Sequence, residues 1–441
     1  MKIVFAFLML AVAFCAGAVE YKLDVKSDKK EWSLKAGEKV TFSFVLYSRE
    51  NAKDTFKPVV GRKVSYELMR DGGMKNIKKQ FVTTDKPFTL TTTGNGPGWV
   101  CINFVVRDAN GKPTMVKSRQ GRKYMLQKGI GVMYDIDKLE PGQPEPEDFD
   151  AFWKAQREAL NKVPLKAKLT PIPASSSKKD FKFWDVQIDC AGGMPVSGHL
   201  SMPADAKPKS LPAVLTLHGA GVSGSAMYTF GRSLHLDINA HGIPNRKGRA
   251  YYEKLAKTTL KDYRFAGTSS RDTVYFKGMY LRLMRALDYL KSRPEWDGKV
   301  LIATGGSQGG GQAIAAAALD PQVTLCVADV PAIGDHAGSI AKFPRRPGWP
   351  KFYDARNGKA DPKVVAATAY YDNVFLARRI KCETYLSAGL MDMSCSPAGI
   401  YLVYKNLASE KKDITVYPQG THSSSPGRKG KARINAVLQG K

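Results

Sequence analysis

The 441-residue chain has little cysteine, a shortage of acid and, beyond its first residues, no long apolar run. Six cysteines are too few to build a disulfide scaffold at this length. Five of them, Cys101, Cys190, Cys326, Cys382 and Cys395, sit at irregular spacings and read as mostly free, packed thiols. There is no CxxC pair and no His/Cys spacing of a zinc site, so no metal is expected. No apolar run after the N-terminus approaches the ~20 residues that a membrane-spanning helix needs, so no membrane span is expected.

Acid is scarce: 40 Asp+Glu stand against 68 Lys+Arg, a formal net charge of +28. The excess is spread along the chain, +11 over residues 1–140 and +17 over residues 141–441. An even spread is less telling than one basic stripe. It fits attraction to an anionic glycan, and no recognisable nucleic-acid motif accompanies it. Hydrophobic residues make up 43% and charged residues 24%, values of a chain that buries a core rather than of a disordered one.

Lys2, the apolar run from Ile3 to Phe14, and Ala16-Gly17-Ala18 have the form of a secretory signal over residues 1–18. Cleavage after Ala18 starts the mature chain at Val19 and places it outside the cell or in the periplasm. Cys15 as a lipid anchor is the competing reading, but Phe14 is bulky where a small residue is expected.

Residues 19–140 carry short alternating strands. Val40, Phe42, Phe44 and Leu46 alternate with Thr41, Ser43 and Val45, the segment 64–68 repeats the pattern, and Trp99 to Phe104 follows it. Turn signals separate these strands and no helical segment intervenes, which predicts a β-sandwich of the immunoglobulin-like class. Pro141 to Pro146 holds three prolines and no hydrophobic residue, and reads as a linker. Residues 147–441 then change period. Glu147 to Leu160 is an amphipathic helix with Phe149, Phe152 and Trp153 on one side. Dense apolar strands follow at 211–217, 234–238, 300–304, 323–330, 384–388 and 414–417, separated by helical stretches. Such runs predict a mainly parallel sheet covered on both faces, an α/β fold. The tail from Ser423 to Lys441 holds five basic and no acidic residues and is expected to be solvated.

One segment carries chemistry more clearly than any other. An apolar strand enters Gly305-Gly306-Ser307-Gln308-Gly309-Gly310-Gly311, and an alanine-rich helix leaves it. In a Gly-x-Ser-x-Gly elbow the turn is so tight that the flanks must be glycine, and it lifts the serine hydroxyl clear of the sheet. A phosphate-cradling loop would need a Lys-Ser/Thr after the last glycine, and none is present. A serine hydroxyl needs a base, and the base an orienting acid. In this fold they follow in the order Ser, acid, His. Of the two later histidines, His336 comes too early and His422 follows the last strand. Asp392, directly after the 384–388 strand, is the expected acid, with Asp372 and Asp335 as weaker candidates. The oxyanion hole is expected from the backbone N–H of Gln308 and of Ala220, in the His218-Gly219-Ala220-Gly221 loop. His218 is expected to brace that loop.

With these residues in view, the chain resembles the acetyl xylan esterase / cephalosporin C deacetylase family, carbohydrate esterase family seven. The likeness spans roughly Glu147 to Pro426. It rests on His218-Gly219, Gly305-Gly306-Ser307-Gln308-Gly309-Gly310, Ala328-Asp329-Val330-Pro331, Gly389-Leu390-Met391-Asp392 and His422. The resemblance implies an α/β-hydrolase that removes acetyl groups from acetylated oligo- or polysaccharides, with Ser307, Asp392 and His422 as nucleophile, acid and base. It implies no cofactor, and assembly as a homo-oligomer. One departure is that His241-Gly242 stands where the family carries Arg-Gly-Gln; another is the added N-terminal β region. That region is expected to affect assembly or polymer binding rather than chemistry, so that a chain starting near Glu145 keeps its turnover. His241 is a candidate substrate contact, with a loop histidine bonded to a carbonyl as the alternative. Trp349 and Tyr353, in the aromatic segment from Phe343 to Tyr353, are candidates for a sugar-stacking lid. Competing functions are hydrolysis of methyl or aryl esters, peptidase action, and non-catalytic glycan binding.

Overall fold

The computed structural model describes residues 19–117, 121–353 and 360–441. The expected leader 1–18, with Cys15, lies outside the described residues. N-terminal strands form a small antiparallel pair, Met115–Lys117 with Lys123–Met125, and two main sheets, antiparallel except where Ser33–Leu34 runs parallel to Gln127–Tyr134. In one, Lys39–Arg49 pairs with Glu20–Ser27, Lys57–Pro58 and Phe88–Thr93. In the other the order is Ser33–Leu34, Gln127–Tyr134, Gly98–Val106, Lys63–Arg70 and Ile77–Val82. Alternation decides which side chains go inside. Phe42, Phe44 and Leu46 of the first sheet meet Ile102, Phe104 and Val106 of the second in one buried cluster. The Phe44 and Phe104 rings lie 4.8 Å apart.

The rest of the chain builds one nine-stranded sheet. Its order is Ala167–Ile172, Phe181–Ile188, Val196–Pro203, Leu234–Ile238, Leu211–Leu217, Trp296–Gly306, Leu325–Asp329, Glu383–Gly389 and Lys412–Tyr417. Pairing is antiparallel through the first three strands and parallel from Leu234–Ile238 onward. The six apolar runs expected as strands are all strands, with ends that differ by up to four residues. The three antiparallel strands were not foreseen, because their mixed polar composition is not the dense apolar run of a central strand.

Both faces of the parallel part are buried, which explains those runs. Ala213, Leu215, Leu217, Leu301, Ala303, Cys326 and Ala328 join the main core with the helices Phe149–Asn161, Tyr275–Ser292 and Gln308–Leu319. Val214, Ile302, Leu325 and Val327 point to the other face and pack on Ile434. Ile434 belongs to the helix Arg428–Leu438, so the basic tail is a helix packed through Gly430 and Ile434, while its basic residues Arg428, Lys429 and Lys431 stay exposed, as expected. Gly430 packs tightly on the sheet, since a Cβ there would lie 2.5 Å from Val327 Cγ1. The expected linker is also docked. Gly142 N–H donates to Asp335 Oδ1 at 3.2 Å, and Glu145 is ion-paired with Arg378 and Arg379. Cys101, Cys190, Cys326, Cys382 and Cys395 are free. No described helix is long and apolar enough to cross a membrane.

The chain runs from Leu211–Leu217 to its neighbour on one side, then returns to Trp296–Gly306 on the other. Ligands of open α/β sheets bind at such a switch, beyond the C-terminal strand ends. His218 and Ser307 follow directly on those two strands.

Candidate active site

Ser307 stands between the Trp296–Gly306 strand and the Gln308–Leu319 helix with φ 59° and ψ −124°, a conformation costly for a residue with a Cβ. Hydrogen bonds on both sides hold it: its N–H donates to Asp329 O at 2.9 Å, and its carbonyl accepts from Ala332 N–H at 2.9 Å. Glycine is required beside it because backbones nearly touch. A Cβ on Gly309 would lie 2.1 Å from Leu217 O, and one on Gly305 would lie 2.7 Å from the same oxygen.

His422 and Asp392 complete a line with this serine. His422 Nε2 is 3.0 Å from Ser307 Oγ, and His422 Nδ1 is 2.7 Å from Asp392 Oδ2. A carboxylate accepts, so Nδ1–H donates to Asp392 and Nε2 is left to accept the serine hydroxyl. Asp392 is fully buried, and its other oxygen accepts from Ser394 N–H at 2.7 Å and Cys395 N–H at 2.9 Å. The Asp392 hydrogen bond holds the His422 pKa above the ordinary 6.5, against burial, which lowers it. Among the described residues, Asp392, Cys395 and His422 are the one cluster whose ligand-type atoms converge, within 4.8 Å of one another. Its carboxylate and imidazole are already used in the line to Ser307, and burial pushes the Cys395 thiol pKa up, which keeps it neutral.

The loop after Leu211–Leu217 lies against the serine, since a Cβ on Gly219 would be 3.8 Å from Ser307 Cβ. Ala220 is exposed there, on the open side of the loop. Two anchors hold the loop. Gln312 Nε2 donates to His218 O at 3.2 Å, and His241 Nε2 donates to Gly221 O at 2.8 Å. His218 braces it further, with Nε2 2.5 Å from Asp237 Oδ1. Burial pulls the His218 pKa down, but the Asp237 carboxylate outweighs it and the net direction is up.

Three expected substrate contacts fare differently. His241 is 2% exposed; its Nδ1 accepts from Tyr275 Oη–H at 2.7 Å, and burial pushes its pKa down to about 4. Both ring nitrogens are therefore spent inside the protein, and His241 supports the loop from behind instead of meeting substrate. Tyr353 is likewise withdrawn, 4% exposed with its hydroxyl 2.7 Å from Thr368 Oγ1. Trp349 stays partly open beside the site. Its backbone N–H donates to Ser394 O at 2.8 Å, and its ring lies 6.5 Å from Tyr263 and 5.9 Å from Phe276. The weaker acid candidates serve structure: Asp372 accepts from the N–H groups of Asp335, His336 and Val374, and Asp335 pairs with Arg345. His336 is buried, its Nδ1 3.1 Å from Thr368 O.

Sequence reasoning missed Tyr263 and Asp237. The Tyr263 hydroxyl donates to Gln308 Oε1 at 2.5 Å, steadying the residue that follows the serine. No motif surrounds Tyr263, so nothing in the sequence marked it. Asp237 had a signal: a carboxylate in the fully buried strand Leu234–Ile238 must have partners. They are His218, Thr216 Oγ1 at 2.7 Å and Ala226 N–H at 2.8 Å.

A mixed, mainly parallel sheet with covering helices, and a serine on a strained strand-to-helix turn backed by histidine, define an α/β-hydrolase. Within that class the chain belongs to the acetyl xylan esterase family, whose model matches residues 132–437. It is 33% identical over 321 residues to the acetyl esterase Axe7A of Xylanibacter ruminicola, covering 70% of this chain and 71% of that one. An acetyl xylan esterase structure from Paenibacillus sp. R4 superposes with a TM-score of 0.57 at 26% identity, covering 69% of this chain and 98% of that one. Acetyl Xylan Esterase 1 from Thermoanaerobacterium sp. shares the fold, with a TM-score of 0.53 at 22% identity over 69% of this chain and 97% of that one. Proteins of this family are carboxylic ester hydrolases, and this chain is one of them.

Proposed function

We propose that the protein removes O-acetyl groups from acetylated oligo- or polysaccharides, of the acetyl xylan kind, through an acyl-enzyme on Ser307. The observation that carries this reading is the hydrogen-bonded line Ser307–His422–Asp392 at the strand ends of a chain in this family. His422 Nε2 takes the hydroxyl proton as Ser307 Oγ attacks the acetyl carbonyl, and Asp392 stabilises the imidazolium. The backbone N–H groups of Gln308 and Ala220 hold the oxyanion. In support, Gln308 opens a helix, where N–H groups have no intrahelical partner, and the Ala220 loop abuts Ser307. His422 then protonates the departing sugar hydroxyl, and water repeats the sequence to free acetate.

Around this chemistry we place a secreted chain cleaved after Ala18, an immunoglobulin-like domain over 19–140 and a hydrolase domain over 147–441, joined at 141–146. The positive charge attracts an anionic glycan, Trp349 offers a stacking face to sugar, and like chains assemble into a homo-oligomer. Side-by-side assays of acetate, methanol and peptide release test the reading. Acetate released from acetylated xylo-oligosaccharides, and lost in Ser307→Ala, is the expected result. Methanol or peptide release in its place overturns it.

A further inference from the structure

The second N-terminal sheet is covered on part of its outer face too, and what covers it is the catalytic part of the chain. In the Gly98–Val106 strand, Val100, Ile102, Phe104 and Val106 point into the sandwich. Trp99 and Cys101, on the opposite face, join the core that contains Leu390, Met391 and Cys395. Trp99 is 2% exposed and donates its indole Nε1–H to Leu390 O at 2.7 Å. Leu390 stands two residues before Asp392.

Neighbouring N-terminal strands reach the loop that leads to His422. Gly131 N–H donates to Pro418 O at 2.9 Å, and Gln419 Nε2 donates to Val25 O at 2.6 Å. The approach is close enough to demand glycine. A Cβ on Gly131 would lie 2.8 Å from Leu390 O, and one on Gly129 would lie 2.3 Å from Met391 Cε. The two catalytic loops are also tied to each other, with Leu390 N–H donating to Tyr417 O at 2.9 Å and Met391 N–H to Gly420 O at 2.8 Å. Acid and base therefore sit on one paired unit, and the N-terminal sheet is its backing.

We propose that the N-terminal β region is a working part of the active site, with Trp99 as a positioning residue for Asp392 and Gln419 as its counterpart for His422. This rests on the Ser307–His422–Asp392 reading given above. Without the indole donor the buried Leu390 carbonyl is left unsatisfied, and the turn must shift to find a partner. Asp392 moves with it, and small displacements of a catalytic group cost rate far more than binding.

The test uses the full mature chain with p-nitrophenyl acetate as substrate. Trp99→Phe keeps the ring and removes the N–H. It is expected to lower kcat about tenfold with KM unchanged. The acid limb of its pH–rate profile should move to lower pH, because a loosened Asp392 raises the His422 pKa less. Gln419→Ala, at an exposed side chain, is the companion variant in case Trp99→Phe does not fold, and should lower kcat by a smaller factor with the same split. Wild-type kcat and pH profile in Trp99→Phe, or in Gln419→Ala if only that variant folds, overturn the proposal. Ser307→Ala keeps the two ideas apart: an inactive serine variant beside wild-type behaviour in the other two ends the positioning role alone.

Discussion

The Gly98–Val106 strand serves two neighbours with alternate residues, while the central strands Leu211–Leu217 and Leu325–Asp329 bury apolar residues on both faces and lead into the site at their ends. In Gly98–Val106, Trp99 and Cys101 meet the hydrolase, while Val100, Ile102, Phe104 and Val106 fill the sandwich. In Trp296–Gly306 and Leu325–Asp329 the interior is apolar, and hydrogen-bonding groups begin where the strand stops. The difference teaches where each region can tolerate change. The first region works mainly through packed area, and the second brings a few hydrogen-bonding groups together at its strand ends.

Removing the serine or the histidine breaks the catalytic half of that contrast most completely. Ser307→Ala and His422→Ala are expected to fold normally and to lose roughly 10⁴-fold or more in kcat, measured as acetate release. Asp392→Asn comes next, at about 10³- to 10⁴-fold, and it sharpens the comparison through pH. If neutral His422 is the base, as proposed, activity falls as pH drops through its raised pKa, and the acid limb should lie above 6.5. The asparagine variant should bring that limb down; an unmoved limb would show that Asp392 does not set the base.

A chain starting at Glu145 tests whether the two regions are separable. Sequence composition alone suggested that it would keep its turnover. The Trp99, Gly131 and Gln419 contacts predict the opposite, a loss of at least about tenfold on a small acetyl ester or failure to remain soluble. Full activity in the soluble truncation would make the hydrolase self-sufficient. The smallest effect on chemistry belongs to Phe104→Ala, inside the sandwich and fully buried. Deleting that ring should cost about 3–5 kcal/mol of stability, read from chemical denaturation, and change kcat little while the protein stays folded.

What could be read in advance was whatever is local. The Gly305–Gly309 turn declares itself because its glycines are forced by contacts within a few residues and with one neighbouring strand. The strand-end positions of Asp392 and His422 follow from the pattern of apolar runs, and the Ser, acid, His order was supplied by the hydrolase fold those runs predict. His241 shows the limit. Its place after a strand suggested a substrate contact, but its partners, Tyr275 and Gly221, are 34 and 20 residues away. Tyr263 and Gln308 are 45 residues apart, and neither residue carries a mark of the other.

By itself the sequence determined the α/β core and the glycine-flanked elbow that carries Ser307, since period, glycine placement and strand ends are properties of contiguous residues. Only the tertiary structure decided that a tryptophan 291 residues before the acid loop backs it, that the basic tail is a packed helix, and that His241 faces inward. Those outcomes depend on which distant surfaces meet. A hydrogen bond such as Trp99 to Leu390 leaves no trace in either segment until the fold brings them within 2.7 Å.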